Sequence, residues 1–279
     1  MLTVNDQTPD IMKHYWFIFQ GDMLLLETTA HDTYRVPCAD MPPVDPSPGT
    51  TIHDIGLLDD IGVKAFATTA HEPQQGFEFM PLRASYNHLP LAHYLKAGKC
   101  REIIHWDNGT RYCGACGTPL EPMTEISKRC PKCGREAWPQ LNIAVIVLIR
   151  KADEVLLVQA KNFRRNYFGL VAGFVETGET LEQAVQREVM EETRLTITNL
   201  KYFASQPWPY PCNLMVGFTA DYAGGEVALQ SEELSKGGWF TKDNLPQIPE
   251  KLSIARKLID SWIEQQQQQP TPIRHETEH

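Results

Sequence analysis

Nowhere in the 279 residues is there a run of about 20 apolar residues, the length a membrane-crossing helix requires, so no membrane partner is expected. The opening stretch MLTVNDQTPDIMKHYW lacks the basic-then-apolar order of a secretory leader. Basic residues are in deficit. The 26 Lys and Arg against 35 Asp and Glu give a formal charge of −9, which offers no electrostatic footprint for long nucleic acid. No internal repeat is visible. The seven cysteines, four of them in two tight pairs, suit a metal site in a reducing compartment better than a disulfide framework. These absences together predict a cytoplasmic protein, long enough for two domains and a small module.

What the chain does have is a run of carboxylates over residues 173–195, GFVETGETLEQAVQREVMEETRL. Thr180 and Gln183 have capping-box spacing, which predicts a helix start, and Thr177-Gly178 marks the tip of the loop before it. At about 100° per residue, Leu181, Ala184, Val185, Glu188, Glu192 and Leu195 share one side of that helix. Gln183, Gln186 and Met190 lie opposite. A solvated charge run would not share its arc with Leu181, Val185 and Leu195. Two inward carboxylates repel each other and lose hydration, so each must be protonated, paired or bound to a cation. Glu191, three residues from Glu188, reaches the same place. Oxygen-only ligands favour a hard divalent ion, Mg²⁺ or Mn²⁺, over zinc.

Upstream, Cys113-Gly-Ala-Cys116-Gly and Cys130-Pro-Lys-Cys133-Gly repeat one pattern. Each pair can place two thiolates on one metal, and the following Gly permits the positive φ that turns backbone amides toward sulfur. Four thiolates fill a tetrahedral Zn²⁺ and leave no open position, so the predicted zinc is structural. A thioredoxin-like redox pair is the competing reading, and it needs only one pair in a βαβ setting. Cys38, Cys100 and Cys212 are read as ordinary thiols.

In the first domain, 1–108, residues 15–19 and 23–26 read as strands joined at Gly21. Residues 38–49 read as a proline-rich loop, and a helix is expected between 83 and 97. Arg83 is either a solvated cation or a phosphate contact. A zinc ribbon is expected at 109–138. Over 139–265, strands are predicted at 141–149, 154–159, 168–175, 199–205, 214–222 and 238–241, with a last helix at 253–264. This is an α+β chain whose final domain is an α/β/α sandwich on a mixed sheet. Lys161, Arg164 and Arg165 are either solvated or placed to steer a phosphate-rich ligand. The polar tail, 266–279 with the glutamines before it, is expected to be disordered.

Between two of the predicted strands lies Ser205-Gln206-Pro207-Trp208-Pro209-Tyr210-Pro211. Alternate prolines exclude a helix or a central strand and hold the segment extended. It would present Trp208 and Tyr210 as a platform for flat rings; a proline-rich ligand for a partner domain is the alternative.

Gly173, Glu179, Arg187-Glu188-Val189-Met190-Glu191-Glu192 and Leu195 together resemble the signature of the Nudix hydrolases. One departure is Arg194 where that family carries Gly, a residue suited to a left-handed helix end. The ribbon, this signature and the SQPWPYP segment in succession resemble the NADH pyrophosphatases, whose motif usually reads SQPWPFP. Tyr210 replaces Phe, and Cys212-Asn213 replaces the commoner Gln-Ser.

The resemblance implies that Glu188, Glu192, Glu233 and the Ala172 carbonyl hold Mg²⁺ or Mn²⁺. It also implies that Glu191 completes the acidic group and that Arg187 pairs with Glu179. Read alone, Glu233 would be an ordinary helix-cap acid. The same resemblance places Gln206, Pro207, Trp208, Pro209, Tyr210, Pro211, Cys212, Asn213, Ala255, Phe174 and Trp138 in a dinucleotide pocket. There Phe174 and Trp138 of the opposite subunit would enclose the nicotinamide of a homodimer, and the N-terminal domain would contribute to dimerisation. The implied activity is metal-dependent cleavage of NAD(H) to nicotinamide mononucleotide and AMP. The alternatives are removal of NAD caps from RNA 5′ ends, hydrolysis of ADP-ribose-type substrates, and a catalytically silent binding protein.

Overall fold

Apolar runs become strands on both sides of the cysteine pairs. The computed structural model describes residues 13–29, 33–69, 72–161, 167–230 and 232–268. They fall into two units. One takes in the chain as far as Gln140 together with Pro209–Cys212; the other takes in Leu141–Trp208 and the chain from Asn213 onward.

In the first unit, β1 (His14–Gln20) and β2 (Met23–Thr29) meet at Gly21, whose φ is +58°. With β3 (Thr33–Arg35), β4 (Cys38–Ala39), β5 (His53–Leu58), β6 (Ile61–Ala67) and β7 (Phe77–Pro81) they form a seven-stranded sheet. Its main order is β3-β2-β1-β6-β5, with β1 and β6 parallel. Trp16, Ile18, Leu25 and Phe66 fill its core. The single helix expected between 83 and 97 is instead two, α1 (Leu82–Ser85) and α2 (Leu91–Gly109). Pro90 separates them, because a proline lacks the amide an uninterrupted helix would need there and is tolerated only at a helix start.

The ribbon strands β8 (Glu121–Thr124), β9 (Ser127–Arg129) and β10 (Glu136–Ala137) are antiparallel. Buried Lys128 ties β9 to the end of α2. Its Nζ donates to the Asp107 carboxylate at 2.6 Å and to the carbonyls of Asp107 at 3.1 Å and Thr110 at 2.7 Å. Burial alone would raise the Asp107 carboxyl, but His53 and Lys128 hold it down at about 2.

The second unit contains β11 (Asn142–Lys151), β12 (Glu154–Ala160), β13 (Val171–Phe174), α3 (Leu181–Thr193), β14 (Thr196–Trp208), β15 (Asn213–Gly224), β16 (Leu234–Thr241) and α4 (Ile254–Gln268). The sheet order is β14-β15-β11-β12-β16, with β13 on β11. Only β11 and β15 pair in parallel, so the sheet is mixed as expected. Successive β11 side chains face opposite sides. Val145, Val147 and Ile149 pack with Ala184, Val185 and Val189 of α3. Ile146 and Leu148 pack with Ile254, Leu258 and Trp262 of α4. This is the predicted α/β/α sandwich.

Four boundaries differ most from the sequence reading, β16 among them, since it begins at Leu234 rather than at 238. β13 spans only Val171–Phe174, with a lone bridge from Gly169 to Val158 before it. β14 starts at Thr196 and runs to Trp208, so Ser205 to Trp208 belong to a strand. The strand lies at the sheet edge, where Pro207 deprives no neighbour of a donor. α4 continues through Gln265 to Gln268, where disorder was expected; glutamine is a good helix former once a helix is already running. Arg164, Arg165 and the tail beyond Gln268 lie outside the described residues.

Candidate active site and zinc centre

Thr180 Oγ1 accepts from the Gln183 amide at 3.2 Å, and Gln183 Oε1 accepts from the Thr180 amide at 2.8 Å, a complete capping box. With α3 started at that point, Ala184, Val185 and Val189 enter the core. Glu192 goes in with them at 5% exposure, and the Glu188 side chain is 12% exposed. β13 crosses directly against this face. A Cβ on Gly173 would collide with the Glu188 carboxylate, so glycine is required there for the close approach.

Arg187 organises the same end of the helix. It clasps Glu179 with two hydrogen bonds, from Nε at 2.6 Å and Nη2 at 2.9 Å. Nη1 reaches Glu188 at 2.8 Å and Glu191 at 3.1 Å, and Nη2 also donates to the Phe174 carbonyl at 2.9 Å. Glu179 further accepts from the Glu176 amide at 2.9 Å. Arg187 pairing, with that amide, holds the Glu179 carboxyl at about 2. One guanidinium thereby fixes the loop, the strand β13 and the helix together.

Charge at the site is not balanced. Burial, then the charges of Glu188, Glu233 and Glu191, push the Glu192 carboxyl up to about 8. Burial also raises Glu188, against the opposing pull of Arg187. Glu233 thus acts on both helix carboxylates from the turn before β16, and no helix is capped there. Among the described residues Glu192 has no ion-pair partner. An acidic group in which Arg187 reaches Glu188 and Glu191 but not Glu192, beside the backbone of Ala172 and Gly173, fits a hard divalent ion.

The four cysteines Cys113, Cys116, Cys130 and Cys133 place their sulfurs within 4.8 Å of one another. Neighbouring Sγ atoms are 3.5 to 3.6 Å apart. Four sulfurs bound tetrahedrally at about 2.3 Å from one zinc would stand about 3.8 Å apart. Gly117 and Gly134 have φ of +70° and +75°, as the repeated pattern predicts. The amide of Ala115 donates to Cys113 Sγ at 3.4 Å, and that contact lowers the thiol toward its metal-binding, ionised form. The donor set and its spacing fit structural zinc.

The residues assigned to dinucleotide binding are distributed over both units. In the second, Phe174 is exposed in an open recess of about 480 Å³ with Leu141, Asn142, Ile143 and Val175. Asn142 donates to buried Asn213 at 3.2 Å. Buried Gln206 donates to the Leu252 carbonyl at 2.9 Å, which brings β14 to the chain just before Ala255. In the first unit, Trp138 is half exposed after β10. Tyr210 shares a 2.8 Å hydrogen bond with Tyr94 of α2. Sequence reasoning missed Tyr94, and only a glycine inside a helix, Gly98, hinted at a close approach there.

Residues 139–262 match the model of the NUDIX domain, and residues 13–106 match that of the NADH pyrophosphatase-like rudimentary NUDIX domain. Two Nudix-type segments therefore stand where the sequence shows no repeat. The chain is 33% identical over 248 residues to the NAD-capped RNA hydrolase NudC of Chromobacterium violaceum, covering 88% of this chain and 89% of that one. Proteins of the same description from Pseudomonas aeruginosa and Deinococcus radiodurans are 39% and 37% identical. They cover 71% and 77% of this chain and 72% and 78% of their own length.

Proposed function

The chain belongs to the Nudix hydrolases as an NADH pyrophosphatase-like member, and from that premise we propose that it hydrolyses the diphosphate of NAD(H) to nicotinamide mononucleotide and AMP. The carrying observation is the buried Glu188–Glu192 face of α3, with Glu233 in its field and Gly173 pressed against it. Glu188, Glu192, Glu233 and the Ala172 carbonyl would hold Mg²⁺ or Mn²⁺. Such an ion offsets the charge of the diphosphate oxygens and acidifies a water for attack on phosphorus. A carboxylate of the Glu188, Glu191 and Glu192 group would take the proton of the attacking water. Arg187 keeps Glu188 and Glu191 in place while Glu179 anchors Arg187 in turn.

Phe174, Trp138 and the segment from Gln206 to Asn213, with Ala255, are assigned to the dinucleotide. The same chemistry serves a second reading, removal of an NAD cap from an RNA 5′ end, which the description of the relatives favours. A cap needs little contact with the RNA body, so the net charge of −9 does not oppose it. A homodimer is supported by family resemblance and by the half-exposed Trp138 ring. Two C-x-x-C-G pairs gathered for one metal rather than spaced for disulfides support a cytoplasmic setting.

The test is product analysis on NADH, NAD⁺, ADP-ribose and NAD-capped RNA in parallel, with Mg²⁺ or Mn²⁺. Release of nicotinamide mononucleotide from NADH is the expected result. Hydrolysis of ADP-ribose alone would reject the assignment.

A further inference from the structure

The N-terminal unit contains Pro209–Cys212, the four residues that close the hairpin between β14 and β15. Two contacts attach them there. The hydroxyls of Tyr210 and Tyr94 share a hydrogen bond of 2.8 Å between positions far apart in sequence. One turn further along α2, a Cβ on Gly98 would lie 3.1 Å from Pro209 Cγ. Residues four apart share a helix face, so α2 offers Tyr94 and Gly98 together to consecutive residues of the hairpin tip. A glycine inside a helix is destabilising, and Pro209 supplies the reason for this one. Tyr94 is itself set by burial and by the edge of the Tyr86 ring, with centroids 5.3 Å apart at 80°.

We propose that Tyr94 is a positioning residue for substrate binding, holding the Tyr210 hydroxyl so that the hairpin tip presents the Tyr210 ring in one fixed arrangement. This rests on the assignment of the Gln206 to Asn213 segment to the dinucleotide. Anchoring the tip removes freedom that binding would otherwise have to remove. The phenol that replaces the family's usual Phe at position 210 is therefore one half of a matched pair. Its partner comes from the rudimentary Nudix segment, which lacks the glutamate pattern of α3.

The experiment measures steady-state kinetics on NADH with Mn²⁺ for the full chain and for Trp208→Ala, Tyr94→Phe, Tyr210→Phe and the double Phe variant. Trp208→Ala is expected to raise KM, as the substrate assignment requires. Each single Phe variant removes the hydrogen bond between the two phenols and is expected to raise KM about fivefold with kcat within about twofold of wild type. The double variant has no second bond between these rings to lose and is expected to raise KM no further than either single variant, a non-additivity that general loss of structure does not produce.

A raised KM in Trp208→Ala with an unchanged KM in Tyr94→Phe and Tyr210→Phe overturns the brace alone. An unchanged KM in Trp208→Ala overturns the substrate assignment and the brace with it. If Tyr94→Phe does not fold, Tyr210→Phe and the double variant decide by the same comparison.

Discussion

The backbone of Gly173 and the carboxylate of Glu188 adjoin with no room between them for a methyl group. The clash would fall on the far end of a flexible side chain, so the fold can survive it while the carboxylate cannot stay in place. Gly173→Ala is expected to lower kcat on NADH at least about 100-fold with the melting temperature near wild type. Normal turnover in this variant would show that Glu188 need not sit where it does.

Glu192 gives a pH signature. Its folded-state value of about 8 lies above the ordinary 4.5, so between the two the folded form holds a proton that the unfolded form has lost. Stability is full below the lower value and declines as pH rises through the upper one. Glu192→Gln, in metal-free protein, is expected to remove most of that decline and to gain about 2 kcal/mol at alkaline pH. Turnover falls by orders of magnitude in the same variant. Thermal melts across the pH range, with and without Mg²⁺ or Mn²⁺, test this; equal slopes for both proteins would contradict it.

Zinc should account for the ribbon. Elemental analysis is expected to find one zinc per chain, lost in Cys130→Ser. Lys128 sits two residues before Cys130 and binds the end of α2, so losing the metal should also loosen α2, seen as faster amide exchange near Asp107. Full zinc content in the variant would show that another ligand set holds the metal.

Arg194 ends α3 in the left-handed region, with φ of +62°. Arg194→Gly is expected to stabilise the fold by up to about 1 kcal/mol, since glycine takes this conformation without a Cβ penalty and gives back part of the gain through a freer unfolded chain. Urea unfolding measures it, and a lower midpoint would mean that the arginine makes a contact worth more than the strain.

The acidic face and the four-cysteine cluster were legible because each is written in local spacing. Thr180 with Gln183, Glu188 with Glu192, and the two C-x-x-C-G units are fixed by geometry within a few residues. Arg194 marked its unusual backbone by standing where a glycine was expected. Tyr94 and Tyr210 could not be matched in the same way, because nothing near either one names the other. The extent of β14 was misjudged for a related reason: Pro207 excludes a central strand, and only the topology shows that this strand is an edge. The kinship of the two halves was also hidden, since α2 carries a single glutamate, Glu102, against the four of α3.

The hairpin tip also constrains how such a protein can be inherited. Recombination moves contiguous stretches of a gene, and residues 139–262 look like one transferable piece. That piece carries Pro209 and Tyr210 away from Gly98 and Tyr94, which stay behind with the upstream segment. No single cut in the gene separates the two units, because the chain crosses between them at Gln140, Trp208 and Cys212. A chimera that keeps the upstream segment and replaces residues 139–262 would therefore have to supply a new partner for Tyr94.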